Sequence, residues 1–287
     1  MKIAILGTGL MGGALAEAML AAGHETIVYN RTAEKTAPLR NLGAAVAKTP
    51  AEAISAADAT VVVLPDAASV RAMLLSDDTR SALKDKKILN ASTTKPDEIA
   101  QLERDIADYG GILAETSIMI GPDDLRTQQG QFILGCQQGD QTFWSELLTS
   151  VGKRVDYAGV VGDASKAEVP ILIASMFGVV TATYAAAAAT KLNVPQQIIE
   201  HYIPMSVPHA EYFLPNLLAR NYDICMASVS NFSIVSANAV SAAKSVGLPT
   251  KVLESMEELF ALAAARGLGE KDGTAINEIL LESQSSC

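Results

Sequence analysis

The chain has 287 residues, 49% of them hydrophobic and 19% charged, and a formal net charge of −10. This composition excludes an intrinsically disordered chain, and the length leaves room for a second compact region beside a first. An acidic balance with no basic run argues against nucleic acid as a general partner, since phosphate binding needs a basic surface.

The first predicted element is a strand, Lys2-Ile3-Ala4-Ile5-Leu6, which opens into Gly7-Thr8-Gly9-Leu10-Met11-Gly12 and then an alanine-rich helix. A second strand, Thr26-Ile27-Val28-Tyr29, answers it. In that setting the G-x-G-x-x-G spacing reads as a dinucleotide-binding turn completed by Thr8, Leu10 and Met11. Gly7 permits the tight turn, Gly9 removes a side chain that would block the pyrophosphate, and Gly12 lets helix and strand pack closely. The helix N-terminus presents unpaired N–H groups to the anion. At the end of the second strand stands Asn30-Arg31-Thr32 where an acid would pair with the ribose 2′-hydroxyl of NAD. Asn30 does not repel a 2′-phosphate, Arg31 offers it a planar fork of donors, and Thr32 and Lys35 add a hydroxyl and a second cation, so NADP (NADPH) is favoured. The rival role for Arg31 is to solvate the start of an Ala33–Leu39 helix.

Strands are then expected near Ala44–Val46, at Ala59–Leu64, Lys87–Ala91, Ile112–Glu115, Gln131–Gly135 and Arg154–Tyr157, and helices at Pro50–Ala56, Ala67–Leu75, Pro96–Asp108 and Gln141–Ser150. Beyond Gly162 only helices are expected: Ser165–Leu192, Pro195–Ile203, His209–Ala219, Cys225–Val246, Pro249–Arg266 and Asp272–Glu282. The fold class is therefore an α/β Rossmann domain with a doubly wound, mostly parallel sheet at residues 1–162, followed by an all-α substrate and dimerisation domain at 163–287. A long interdomain helix at about 165–192 joins them. Val169 to Thr190 has no formal charge and is long enough to span a bilayer. It is alanine-rich, diluted by Pro170, Ser175, Thr181, Thr183 and Tyr184, and has no aromatic or basic belt, so burial between domains and subunits is expected rather than a membrane. Cys136, Cys225 and Cys287 are odd in number and lack metal-ligand spacing, which suits a reducing cytoplasm and no metal. Lys2 precedes too short a run for a secretory signal, and Ser283–Cys287 reads as a frayed tail.

In an open parallel sheet the chemistry lies beyond the carboxyl ends of the strands. The segments there are Leu64-Pro65-Asp66, Asn90-Ala91-Ser92-Thr93 and Glu115-Thr116-Ser117-Ile118-Met119. Pro65 and Asp66 shape the cofactor path, and Ser92 and Thr93 either face the nicotinamide ribose or substrate, or cap the helix at Pro96. Lys166 and Glu168 open the long helix and either is able to handle a proton: Lys166 at a developing alkoxide, Glu168 at an imine nitrogen. Two residues apart, they point in different directions. Their structural alternatives are a surface ion pair for Lys166 and helix N-terminal stabilisation for Glu168. Met119, Met176 and Phe177 supply an apolar wall, and His209 with Glu211 and Tyr212 is the local cluster most able to reach a neighbouring subunit.

Together the glycine loop, Ala22-Gly23-His24, Asn30-Arg31-Thr32 and the long helix resemble the β-hydroxyacid dehydrogenase superfamily over almost the whole chain. In its acid dehydrogenases a serine stands where this chain has Met119 and an asparagine where it has Pro170, while Lys166 is retained and Asn231 takes the place of an aspartate-like partner. The imine reductase and reductive aminase branch is more similar, through Ser117-Ile118-Met119, Asn90 with its Ser-Thr-Thr run, and Ala265-Arg266-Gly267-Leu268-Gly269-Glu270. That resemblance implies an NADPH-dependent reduction of a cyclic imine, or of an imine formed from a carbonyl compound and an amine. It puts the proton-handling position at Glu168, where the branch has Asp or Tyr. It also implies a domain-exchanged homodimer, with Met176, Phe177 and the stretch from His209 through Phe213 to Leu214 lining the pocket. The rivals are a β-hydroxyacid or semialdehyde dehydrogenase working through Lys166, and a non-catalytic NADP-binding sensor.

Overall fold

The computed structural model describes residues 1–207, 210–225 and 227–282. The chain divides into one compact unit spanning Met1–Glu168 and a second beginning at Val169, so the first residues of the long helix go with the first unit.

The first unit is an eight-stranded sheet, with β1 (Lys2–Leu6), β2 (Glu25–Tyr29), β3 (Ala45–Val46), β4 (Ala59–Val62), β5 (Lys87–Asn90), β6 (Ile112–Ile118), β7 (Gly130–Gly135) and β8 (Gly152–Gly159) in the order β3-β2-β1-β4-β5-β6-β7-β8. The first six run parallel; β7 is antiparallel to β6, and β8 parallel to β7. The alternation of strand side chains builds two cores. Ile3, Ile5, Val61, Leu89 and Ala114 face one side, where α1 (Leu10–Ala21) packs with Leu15 and Met19. Ala4, Leu6, Val62, Ile88 and Leu113 face the other, covered by Ile54, Val70, Leu74, Ile99, Leu102 and Ile106. These covering residues come from α3 (Pro50–Ala56), α4 (Ala67–Leu74) and α6 (Pro96–Ala107). The short α2 (Ala37–Asn41), α5 (Asp77–Arg80) and α7 (Pro122–Arg126) complete the connections, and α8 (Gln141–Thr149) buries Trp144 in the first core.

Two expectations for this unit need correction, and two helices add to those expected. Residues Ala33–Leu39 are not one helix but a 3₁₀ turn, Ala33–Thr36, followed by α2, with Pro38 in its first turn. Strand β6 does not stop at Glu115; it runs through Ser117 to Ile118, because β7 pairs with that extension. The helices at Asp77–Arg80 and Pro122–Arg126 carry little apolar periodicity and were not expected from sequence.

The second unit holds most of α9 (Asp163–Lys191), then α10 (Gln196–Ser206), α11 (Leu214–Leu218), α12 (Val229–Ser245), α13 (Lys251–Ala263) and α14 (Ile276–Leu281). Its core joins Met176, Leu217, Val235, Val240, Met256, Phe260 and Ile276, with Phe232 stacked on Phe260 at 5.0 Å between ring centroids. The expected helix at Cys225–Val246 begins only at Val229. Ser228 caps it through the Asn231 N–H at 3.2 Å and bridges to Asp272, a partner remote in sequence. The expected helix at His209–Ala219 reduces to a 3₁₀ turn, Ala210–Tyr212, and α11; His209 itself lies outside the described residues, as does Ser283–Cys287.

Candidate dinucleotide and proton-transfer site

The glycine loop has the shape its spacing predicts. Gly7 sits at φ +99°, and a Cβ there would stand 2.1 Å from the Val63 carbonyl oxygen. A Cβ on Gly12 would stand 2.0 Å from the Gly7 carbonyl oxygen, which is the close helix–strand approach that glycine permits. Gly9 is different: a Cβ there would meet nothing within 4 Å. It faces open space at the start of α1, whose first turn has neither a side-chain cap nor an acidic residue, so its N–H groups are left for an anion. Leu10 is exposed and Met11 half-buried beside it. A cradle closed on two sides by backbone and open on the third fits a dinucleotide pyrophosphate.

Asn30 braces this loop. Its Oδ1 accepts from the Thr8 N–H at 3.0 Å and its Nδ2 donates to the Thr32 carbonyl at 3.0 Å, while the Thr8 hydroxyl reaches the Lys35 carbonyl at 3.3 Å. Arg31, Thr32 and Lys35 are exposed around the brace. Beyond β4, Asp66 caps α4 through the Ser69 N–H at 2.7 Å, and Pro65 is exposed. The Ser92 hydroxyl does not cap the helix at Pro96. Its hydroxyl accepts from the Leu64 N–H at 2.8 Å and donates to the Val62 carbonyl at 3.4 Å, tying the ends of β4 and β5 together. Asn90 folds its amide over the same turn, onto the Ser92 carbonyl at 3.0 Å and the Thr94 hydroxyl at 3.4 Å. The α6 N-terminus is served instead by Glu98, which accepts from the Lys95 N–H at 3.3 Å, and Thr93 is half-buried in the loop.

Glu115, Ser117 and Met119 follow one another at the strand period of two, and the pairing continues past β6 through the Met119 N–H on the Gln131 carbonyl at 2.8 Å. Opposite them starts α9. The Ser117 hydroxyl faces the Glu168 carboxyl, which is buried. Burial foremost, with the like charge of Glu115 adding to it and the Ser117 hydroxyl opposing, pushes Glu168 up to about 7. Lys166 is placed otherwise: it is exposed, with its ammonium 2.8 Å from Asp163 on the same helix. Sequence reasoning placed Glu115 at the head of the segment beyond the sixth strand but gave it no role of its own, although an acid closing the apolar run Ile112-Leu113-Ala114 is a signal in itself.

Of the candidates in the second unit, Met176 is buried and Phe177 half-buried in its helical core. Phe213 packs against Ala182, Val207 and Ala210, and Tyr212 is exposed. No group of three or more His, Cys, Asp or Glu able to hold a metal occurs among the described residues.

The family model for the NAD binding domain of 6-phosphogluconate dehydrogenase matches residues 2–159, more than half of the chain. Among curated proteins, cytokine-like nuclear factor N-PAC of Xenopus tropicalis is 32% identical over 170 residues, 58% of this chain; the match spans only 31% of that protein. Glyoxylate/succinic semialdehyde reductase 2, chloroplastic, of Arabidopsis thaliana is 25% identical over 99% of this chain and 80% of its own length. Among solved structures, 3-hydroxyisobutyrate dehydrogenase of Salmonella typhimurium superposes with a TM-score of 0.87 at 20% identity, covering 97% of this chain and 99% of that one. The imine reductase of Myxococcus stipitatus in complex with NADP+ does so with a TM-score of 0.68 at 22% identity, covering 98% and 100%. The glycine cradle and the matched domain lead to one conclusion: the chain belongs to the family of the NAD binding domain of 6-phosphogluconate dehydrogenase.

Proposed function

We propose that the protein is an NADPH-dependent imine reductase, acting on cyclic imines or on imines of a carbonyl compound and an amine. The observation that carries this reading is Glu168, a buried carboxyl that faces Ser117 near the carboxyl end of β6 and that burial pushes up to about 7. Gly7, Gly9 and Gly12 would hold the reduced coenzyme along the loop, Arg31, Thr32 and Lys35 would meet its 2′-phosphate, and its chemistry there would be the supply of a hydride to the imine carbon. Glu168 gives its proton to the imine nitrogen and becomes a carboxylate, so that hydride and proton together yield the amine. Met119 and Pro170 stand where the acid dehydrogenases have serine and asparagine, and neither side chain can anchor a substrate carboxylate.

A second reading is reduction of a semialdehyde or β-hydroxyacid precursor through Lys166. It is favoured by the solvent-accessible Lys166 ammonium and by the name of the Arabidopsis relative. One assay separates the two: coenzyme absorbance followed with NADPH and with NADH against a cyclic imine, a ketone with an amine, and succinic semialdehyde. Imine turnover with NADPH preferred about tenfold or more, insensitive to Lys166→Ala, is expected from the strength of charge-assisted bonds to a phosphate. Semialdehyde turnover abolished by Lys166→Ala would replace the imine reading, and equal use of NADH would remove Arg31 from the cofactor site.

The assembly proposed is a domain-exchanged homodimer in the cytoplasm. Helix α9 is long and apolar enough to cross a membrane, with mean hydropathy 1.8, yet only 28% of that window is buried within one chain. Ile171 and Tyr184 on it, and Ile198, Tyr202 and Met205 on α10, are exposed. A second copy covers such a surface without lipid. Cys136 and Cys225 are free thiols, as suits a reducing compartment. Sedimentation should give twice the chain mass of 30.1 kDa, and the double variant Ile171→Glu, Tyr184→Glu should give a monomer. Flotation of the purified protein with liposomes would overturn this assignment.

A further inference from the structure

Glu115 has no part in the chemistry just proposed, yet it is one of the most deeply buried acids of the chain, 2% exposed. Both of its oxygens are occupied. Oε1 accepts from the Gly162 N–H and from the Ala164 N–H at 3.1 Å, and Oε2 accepts from the Ser165 hydroxyl. These donors are the start of α9. A helix leaves its first N–H groups unpaired and normally caps them with a side chain next to it in sequence; here the cap comes from a strand 47 to 50 residues upstream. Space for it is made on β7, where Gly135 pairs with Glu115 and a Cβ would press to 2.7 Å from Oε1.

The contact with Glu168 follows from two periodicities. Glu115 and Ser117 lie two apart on a strand and so on one face; Ser165 and Glu168 lie three apart on a helix and so on one face. Strand carboxylate meets helix hydroxyl at the first rung, and strand hydroxyl meets helix carboxyl at the second. Among the described residues no cation joins them. Within the first unit the nearby charges are paired elsewhere: Lys166 with Asp163 on α9 itself, Lys95 with Glu98 before α6, and Lys87 on β5 with Asp140. The neighbouring strands present Asn90 and, on β7, Gly135 and Ile133. Two buried carboxyls with no cation between them disfavour two negative charges, so the proton goes to the one with fewer donors. Burial pushes the Glu115 carboxyl up as well, but its three donors, two of them from the helix N-terminus, oppose that rise, whereas Glu168 faces one hydroxyl, that of Ser117.

We propose that Glu115 is the positioning residue of Glu168: it ties the first turn of α9 to β6 so that Glu168 meets Ser117, and as the standing anion of the pair it keeps the shared proton on Glu168. Its catalytic consequence rests on the reading of Glu168 as proton donor; the location of the proton does not.

Infrared difference spectra of the unliganded enzyme with 13C-labelled glutamate read that location directly. A protonated buried carboxyl should be present at pH 6, should disappear with a midpoint near 7, and should be missing in Glu168→Gln. In Glu115→Gln, which keeps the shape and removes the charge, the midpoint should fall by about one pH unit, a tenfold loss of proton affinity. A merely structural role for Glu115 would lower stability and leave the midpoint in place. The proposal is overturned if the band survives in Glu168→Gln, which puts the proton on Glu115, or if the midpoint in Glu115→Gln does not move. Should Glu115→Gln fail to fold, the Glu168→Gln spectrum still decides. Spectra as expected, combined with undiminished imine turnover in Glu168→Gln, would sink the catalytic reading of Glu168 alone.

Discussion

Gly9→Ala is expected to leave the melting temperature of the unliganded protein within about 2 °C of the parent while weakening NADPH binding at least about tenfold, because the added methyl has free space in the fold but stands where a pyrophosphate must approach. Gly7→Ala should do the reverse in the unliganded state. Its φ of +99° is costly for any L side chain, and its Cβ would be driven to 2.1 Å from the Val63 carbonyl, which is backbone and cannot swing aside. Strain and overpacking of about 1–3 kcal/mol each sum to roughly 2–6 kcal/mol, or a melting temperature lower by roughly 5–20 °C. Thermal melts with and without NADPH measure both effects. If the two variants melted alike, or Gly9→Ala bound NADPH as tightly as the parent, the open face of Gly9 would not be the pyrophosphate approach.

Those glycines were legible in sequence because their constraint is local: a turn, a close approach and an opening all lie within six residues of an apolar strand. The carboxyl pair was only half legible. Glu168 follows from its offset along the helix from Gly162, but what it faces does not. The polar run Glu115-Thr116-Ser117 looks like a loop, and it is strand only because β7 returns antiparallel and pairs with it. Glu115 gains its meaning from donors 47 to 50 residues away and from a missing side chain at Gly135, none of which a periodicity reports. The late start of α12 has the same cause, since Ser228 is held by its bridge to Asp272. Asn30 and Ser92 show the converse. Their positions were found by pattern, but their hydrogen-bonding groups are engaged with the backbone of the loops they were expected to decorate, at Thr8, Thr32 and Leu64.

Replacing Glu168 with Gln should lower imine turnover by roughly a hundredfold or more while leaving NADPH affinity unchanged, the range typical for loss of a positioned general acid. The parent's pH profile carries the same information. With Glu168 held up to about 7, the acid form dominates below that pH and the rate is level; above it the carboxylate has no proton to give, and kcat should fall tenfold per pH unit. Stability should move in the same direction. The native carboxyl titrates near 7 and the unfolded one near the ordinary 4.5, so between these values the native state binds more protons than the unfolded state. The stabilisation is complete below the lower value and is lost as pH rises through the upper, an order of about 3 kcal/mol in all. A melting temperature that declines from pH 5 to pH 8 in the parent and is flat in Glu168→Gln would express that loss. Glutamine cannot ionise, so it mimics the protonated state at every pH. The variant should therefore be the more stable protein at pH 8 and the slower enzyme at pH 6, a pairing that a residue serving only to hold the helix in place would not produce.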